Sequence, residues 1–156
     1  MQRMTRRRLL CVDDDSAFRQ FYKSLLGSYG YDVTVAASAK QALKIFLSRK
    51  VDAVLTDLEM PEMTGAELAV RLKKMRPELP VLLVSGSSAA QQLPPAGVDA
   101  TVAKGASSTK LVDQIESTLA KYQTRPAKLN PRRLAPLGSV LASIALAAYA
   151  LPRLLK

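Results

Sequence analysis

The chain has 156 residues, 48% of them apolar, which allows one domain with a real core plus an appendage. It holds no histidine and one cysteine, Cys11, so His-based catalysis, thiolate metal sites and a disulfide framework are excluded. Any divalent ion must then be held by oxygen, which favours Mg²⁺ or a similar hard cation. The net charge of +10 is uneven: all thirteen acidic residues lie at or before Glu116, and only Lys and Arg carry charge after Gln123. With Arg3, Arg6, Arg7 and Arg8 at the start, this balance suggests an anionic partner, nucleic acid or lipid headgroups. The plain alternative for those arginines is a solvated basic arm. Residues 9–12 form too short an apolar run for a signal peptide, and they lead straight into three aspartates.

In chain order, residues 9–12 are a short apolar strand ended by Asp13, Asp14 and Asp15. Ser16 can cap a helix over 17–26 with a stripe of Ala17, Phe21, Tyr22, Leu25 and Leu26, which Gly27 and Gly30 end. Residues 31–36 alternate and are rich in β-branched side chains, a second strand. Ser38 caps a helix to about residue 48 with Ala42, Leu43, Ile45 and Phe46 inward. The apolar run 51–55 is a buried third strand that delivers Asp57 to its carboxyl end. A helix over 65–75 follows, with Leu68, Ala69 and Leu72 inward. Residues 81–84 are a fourth strand ending at Ser85, and a turn or two of helix over 87–93 is cut short by Pro94 and Pro95. Residues 98–103 are a weaker fifth strand ending at Lys104. Ser107 or Ser108 then caps a last helix to about residue 122, with Leu111, Ile115, Thr118 and Leu119 inward. Five strands alternating with helices predict a doubly wound α/β domain with a parallel sheet.

Polar groups recur at the carboxyl ends of strands one, three, four and five: Asp13 and Asp14, Asp57, Ser85 and Lys104. In a parallel sheet those ends share one edge. Crowded carboxylates repel, and a divalent cation with oxygen ligands neutralises them most directly. No Gly-rich phosphate loop is visible. A carboxylate nucleophile, a metal, a cation and a hydroxyl around one spot suit phosphoryl transfer onto aspartate. Each also has a bland reading: helix-favouring aspartates, a turn serine, a surface lysine.

The runs Cys-Val-Asp-Asp-Asp at 11–15, Leu-Thr-Asp-Leu-Glu-Met-Pro-Glu-Met-Thr-Gly at 55–65, Val-Ser-Gly at 84–86 and Ala-Lys at 103–104 resemble the receiver domain of two-component response regulators. The resemblance covers roughly residues 6–122. It implies a flavodoxin-like five-stranded receiver fold with Asp57 as the phosphoacceptor. It further implies Mg²⁺ held by Asp14 directly, Asp13 through water, Asp57 and the Glu59 backbone carbonyl. Ser85 would hydrogen-bond the phosphoryl group, and Lys104 would pair with Asp57 or its phosphate. The partner would be a histidine kinase or phosphotransfer protein, and the chain would be no enzyme beyond self-catalysed phosphotransfer and dephosphorylation. Two positions depart from the family: Thr101 stands where an aromatic switch residue is usual, and Gly105 where proline follows the lysine. The rival reading is a non-phosphorylated scaffold that recruits a partner through its tail.

The expected layout is a receiver over 1–123, a basic Pro-containing linker over 124–133 and a hydrophobic helix over 134–156. No DNA-binding output domain fits the tail, which sets nucleic acid aside as the main partner. The stretch 134–152 is uncharged with basic flanks, as in a membrane span. Pro136 and Pro152 leave a core of about 22 Å of helix against roughly 30 Å of hydrocarbon. Leu137, Val140, Leu141, Ile144, Ala148 and Leu151 form a stripe that could instead dock on a partner or a second copy. The small opposite face suits packing in lipid. The tail is therefore read as an anchor holding a cytoplasmic receiver at the inner face of the membrane.

Overall fold

The computed structural model describes residues 6–86 and 94–123. Nine elements run β1 (Arg8–Val12), α1 (Ser16–Ser28), β2 (Asp32–Ala36), α2 (Ala39–Ser48), β3 (Ala53–Asp57), α3 (Gly65–Met75), β4 (Val81–Ser85), β5 (Ala100–Ala103) and α4 (Ser108–Gln123) among the described residues. The expected short helix over 87–93, the linker and the hydrophobic tail lie outside them. Among the described residues no helix is long and apolar enough to cross a membrane.

The strands form one parallel sheet in the order β2-β1-β3-β4-β5, the flavodoxin-like doubly wound arrangement. Side chains alternate across a strand, and the two faces collect separate cores. Leu9, Cys11, Leu55 and Val84 face α1 and α4, meeting Tyr22, Leu26, Leu111 and Ile115. Leu10, Val12, Val54 and Val81 face α2 and α3, meeting Ala42, Leu68, Ala69 and Leu72. Central β3 and β4 are buried along their whole lengths, which is why they read as continuous apolar runs.

Several local expectations are corrected. Asp15, not Ser16, caps α1: its extended backbone lets the carboxylate accept from the Ala17 amide at 2.7 Å. Gly27 lies inside α1, and the turn past it is closed by Gly30 at φ +90°. The inward face of α1 is Phe18, Tyr22, Leu25 and Leu26, while Ala17 is exposed and Phe21 is half exposed. The fifth strand begins at Ala100, because Asp99 turns its carboxylate back to the Val81 amide at 2.8 Å.

Gly65 opens α3 pressed against the end of β3. A Cβ there would collide with the Asp57 carbonyl oxygen and with Leu83. Gly65→Ala is expected to cost about 3 kcal/mol by overpacking. Gly27 has open space around it, so Gly27→Ala is expected to gain roughly 0.5 kcal/mol from helix propensity. Urea unfolding of both variants measures the contrast. Equal effects would show that the β3–α3 contact is loose.

Candidate functional site

The carboxyl ends of β1 and β3 lie side by side, at the point where the strand order reverses. Asp13 follows β1 and Asp57 ends β3, and both are buried, at 1% and 5% exposure. Asp14 beside them is exposed. One carboxylate oxygen from each of Asp13, Asp14 and Asp57 lies within 4.8 Å of the others. Lys104 reaches this cluster from the turn after β5, its Nζ 2.9 Å from Asp57 Oδ2 and 3.2 Å from Asp13 Oδ2. Only the contact to Asp57 has hydrogen-bond geometry; Asp13 Oδ2 feels Lys104 as a charge and accepts no hydrogen bond.

Backbone pairing places these groups. The Lys104 amide donates to the Ser85 carbonyl at 2.9 Å, extending the β4–β5 ladder by one residue. Ser85 is buried at the end of β4, one residue past Val84, which is the register partner of Asp57. Glu59 sits in the β3–α3 loop with its side chain exposed. That loop is fixed by Gly65 donating to the Leu58 carbonyl at 3.0 Å and by Glu62 at φ +67°. Of the residues expected at the site, Asp13, Asp14, Asp57 and Lys104 are brought together, with Ser85 at the neighbouring strand end and Glu59 in the adjoining loop.

Three supporting groups had no role in the sequence reading. Arg19 donates from one Nη to the carbonyls of both Asp13 and Asp14, at 2.8 Å each, and so shapes the acidic loop. Phe18 lies under Lys104, with Nζ 4.3 Å from the ring centroid. Thr64 and Glu67 form a capping box that starts α3. The box was readable as Thr-x-x-Glu before an apolar run. Nothing in the sequence marks Arg19 or Phe18.

The electrostatics fit an oxygen-bound cation. Burial pushes the Asp13 carboxyl upward, opposed by the Asp15 amide and Lys104 and reinforced by the charge of Asp57. Burial alone would lower Lys104, but the Asp57 hydrogen bond and the Asp13 charge raise it overall. A single ammonium serves two buried carboxylates, one of which keeps an orphaned oxygen. A hard divalent ion suits that donor set.

Residues 9–116 match the family model described as the response regulator receiver domain. The probable transcriptional regulator ycf27 of Cyanidium caldarium is 31% identical over 126 residues, covering 79% of this chain and 50% of that protein. The DNA-binding transcriptional regulator NtrC of Rhizobium meliloti is 33% identical over 129 residues, covering 81% of this chain and 27% of that protein. The chain thus spans half or less of the length of these relatives. A CheY-like receiver domain protein from Methanospirillum hungatei superposes with TM-score 0.70 at 28% identity, covering 78% of this chain and 100% of that one. TrrA of Thermotoga maritima, solved in complex with Mg(2+)-BeF, gives TM-score 0.68 at 29% identity, covering 72% and 98%.

A carboxyl whose folded pKa lies above its unfolded value stabilises the fold when protonated, and loses that contribution as pH rises through the folded value. Asp13 is such a group, so its charge opposes folding at neutral pH in the absence of metal. Asp13→Asn keeps an oxygen for the Asp15 amide and leaves Lys104 to Asp57. The variant is expected to be more stable than the parent by about 1 kcal/mol at pH 7 without metal. The gap should close as pH falls towards the ordinary aspartate range. Thermal melts across pH in a chelator check this, and a destabilised variant at pH 7 would contradict it.

Proposed function

Because the chain belongs to the response regulator receiver domain family, we propose that it accepts a phosphoryl group on Asp57 from a histidine kinase or phosphotransfer protein. The observation that carries this reading is Asp57 itself: buried at a strand end, hydrogen-bonded to Lys104 and grouped with Asp13 and Asp14. An Asp57 carboxylate oxygen forms the new bond to phosphorus as the donor's bond breaks, and the donor group leaves with the electron pair. Lys104 offsets charge on the transferred oxygens, and the Ser85 hydroxyl serves as a donor to one of them. Asp13, Asp14, Asp57 and the Glu59 carbonyl are the groups that would hold Mg²⁺. When bound, Mg²⁺ supplies positive charge that offsets the carboxylates and the phosphoryl oxygens. The solved relative in complex with Mg(2+)-BeF supports Mg²⁺ involvement at the level of the family.

The added charge and acceptor oxygens draw Lys104 and Ser85 inward, and this is the switching event. Thr101, partly buried on β5, gives the responding face a side chain that differs from the aromatic usual in the family. In this reading the receiver occupies 1–123 and the basic linker 124–133, and the hydrophobic stretch 134–156 is proposed as a candidate membrane anchor.

Incubation with a small acyl phosphate donor tests the reading. Labelling is expected to require Mg²⁺ and to vanish in Asp57→Asn. In Lys104→Ala it should slow by about a hundredfold, the typical cost of one charge-stabilising donor. A folded parent that takes no label with Mg²⁺ present would favour the scaffold reading instead.

A further inference from the structure

The two sheet edges of this domain differ in their balance of charge. The carboxyl edge holds Asp13, Asp14, Asp15, Asp57 and, in the following loop, Glu59 and Glu62, with Lys104 and Arg19 as the cations among them. At the opposite edge a cleft of about 980 Å³ is lined by Arg6, Arg7, Arg8, Lys23 and Lys50. Two acidic residues, Asp32 and Asp52, share it, and Asp52 is taken by a two-pronged contact with Arg8 at 2.9 and 3.0 Å. Among the described residues Arg6, Arg7, Lys23 and Lys50 make no ion pair, and Arg6, Lys23 and Lys50 are exposed.

Helices that follow parallel strands run back towards this edge, so α1, α2 and α4 all end there. Cations near helix C-termini offset the helix dipole, which accounts for Lys50 just past α2, whereas Lys23 sits midway along α1. It does not account for three consecutive arginines entering β1, nor for a cleft with a surplus of three cations. The Gln123 amide oxygen, once oriented to suit both groups, accepts from the Arg7 guanidinium, so α4 closes on the same edge. The chain continues from Gln123 into 124–133, whose sequence carries Arg125, Lys128, Arg132 and Arg133, and then into the uncharged stretch 134–152.

We propose that this basic edge is a docking surface for anionic lipid headgroups. A lipid surface fits better than nucleic acid because the chain leaving this edge combines a basic segment with an uncharged apolar one. Basic residues beside an apolar segment are the pattern that anionic leaflets attract. The cleft takes headgroup phosphates, and the domain's own polarity orients it. Five-residue strands separate the two edges by about 15 Å, so the acidic edge with Asp57 faces away from the bilayer, open to a phosphoryl donor.

Flotation of the full-length protein with vesicles tests this, comparing neutral phosphatidylcholine with mixtures containing phosphatidylglycerol. The parent is expected to prefer anionic vesicles, and the preference should fall as salt rises. The triple variant Arg6→Glu/Lys23→Glu/Lys50→Glu is expected to lose that preference by roughly a hundredfold, taking about fivefold per basic residue at a membrane surface. Lys40→Glu/Lys44→Glu/Lys110→Glu changes net charge equally at exposed positions outside the cleft, and should keep most of the preference. Both variants should match the parent in melting temperature and Asp57 labelling. Equal losses in the two variants would reduce the effect to net charge and overturn the proposal. So would equal partition of the parent into neutral and anionic vesicles. Tighter, cleft-dependent binding to duplex DNA than to anionic vesicles would overturn it in favour of a nucleic-acid surface.

Discussion

One ammonium group shared between two buried carboxylates is the constraint on which the site depends. Lys104 can offset one full negative charge, and Asp13 and Asp57 together bring two into a region shielded from water. Burial makes such an excess costly, so the carboxylate cluster is under electrostatic tension that added positive charge relieves. The fold tolerates this because strongly apolar strands on both sides fix the carboxyl edge. Leu10, Val54, Leu82 and Leu83 are all essentially inaccessible to solvent. Function is thereby confined to a few groups at the strand ends.

The same edge is locked by local devices that keep the charged groups from spreading. Gly65 lets α3 approach β3 so closely that the loop carrying Glu59 has little freedom, and the Thr64–Glu67 box fixes where the helix starts. Arg19 holds the carbonyls of the acidic loop from below, turning two potentially repelling dipoles towards a cation. Away from the site, Lys73, Asp99 and Tyr122 form a partly buried network that ties α3 to the start of β5 and the end of α4. These devices pin the ends of the elements that carry Ser85 and Lys104.

Much of this was legible in the sequence. The central strands announce themselves as apolar runs because both their faces are covered. The candidate residues could be listed because each directly follows such a run. Phase and caps were less legible. Asp15 and Ser16 are both competent caps, and only the backbone at Asp15 decides between them. Phe21 looks like core by composition, yet the face defined by Phe18, Tyr22, Leu25 and Leu26 turns it outward. Contacts between residues far apart in sequence, such as Lys73 with Tyr122 or Phe18 with Lys104, leave no local pattern to read. The difference in charge balance between the sheet edges belongs to the same class. It follows from helix direction combined with composition, and becomes visible only when the strands are placed side by side.

The most direct test of the central claim is to locate the phosphoryl group on the protein. After phosphorylation in Mg²⁺, reductive trapping of the acyl phosphate followed by peptide mass spectrometry identifies the modified carboxylate. The account predicts a single modified position, Asp57, with Asp13 and Asp14 untouched. Trapping at either of those, or at a residue outside the carboxyl edge, would contradict the assignment of Asp57 as the nucleophile.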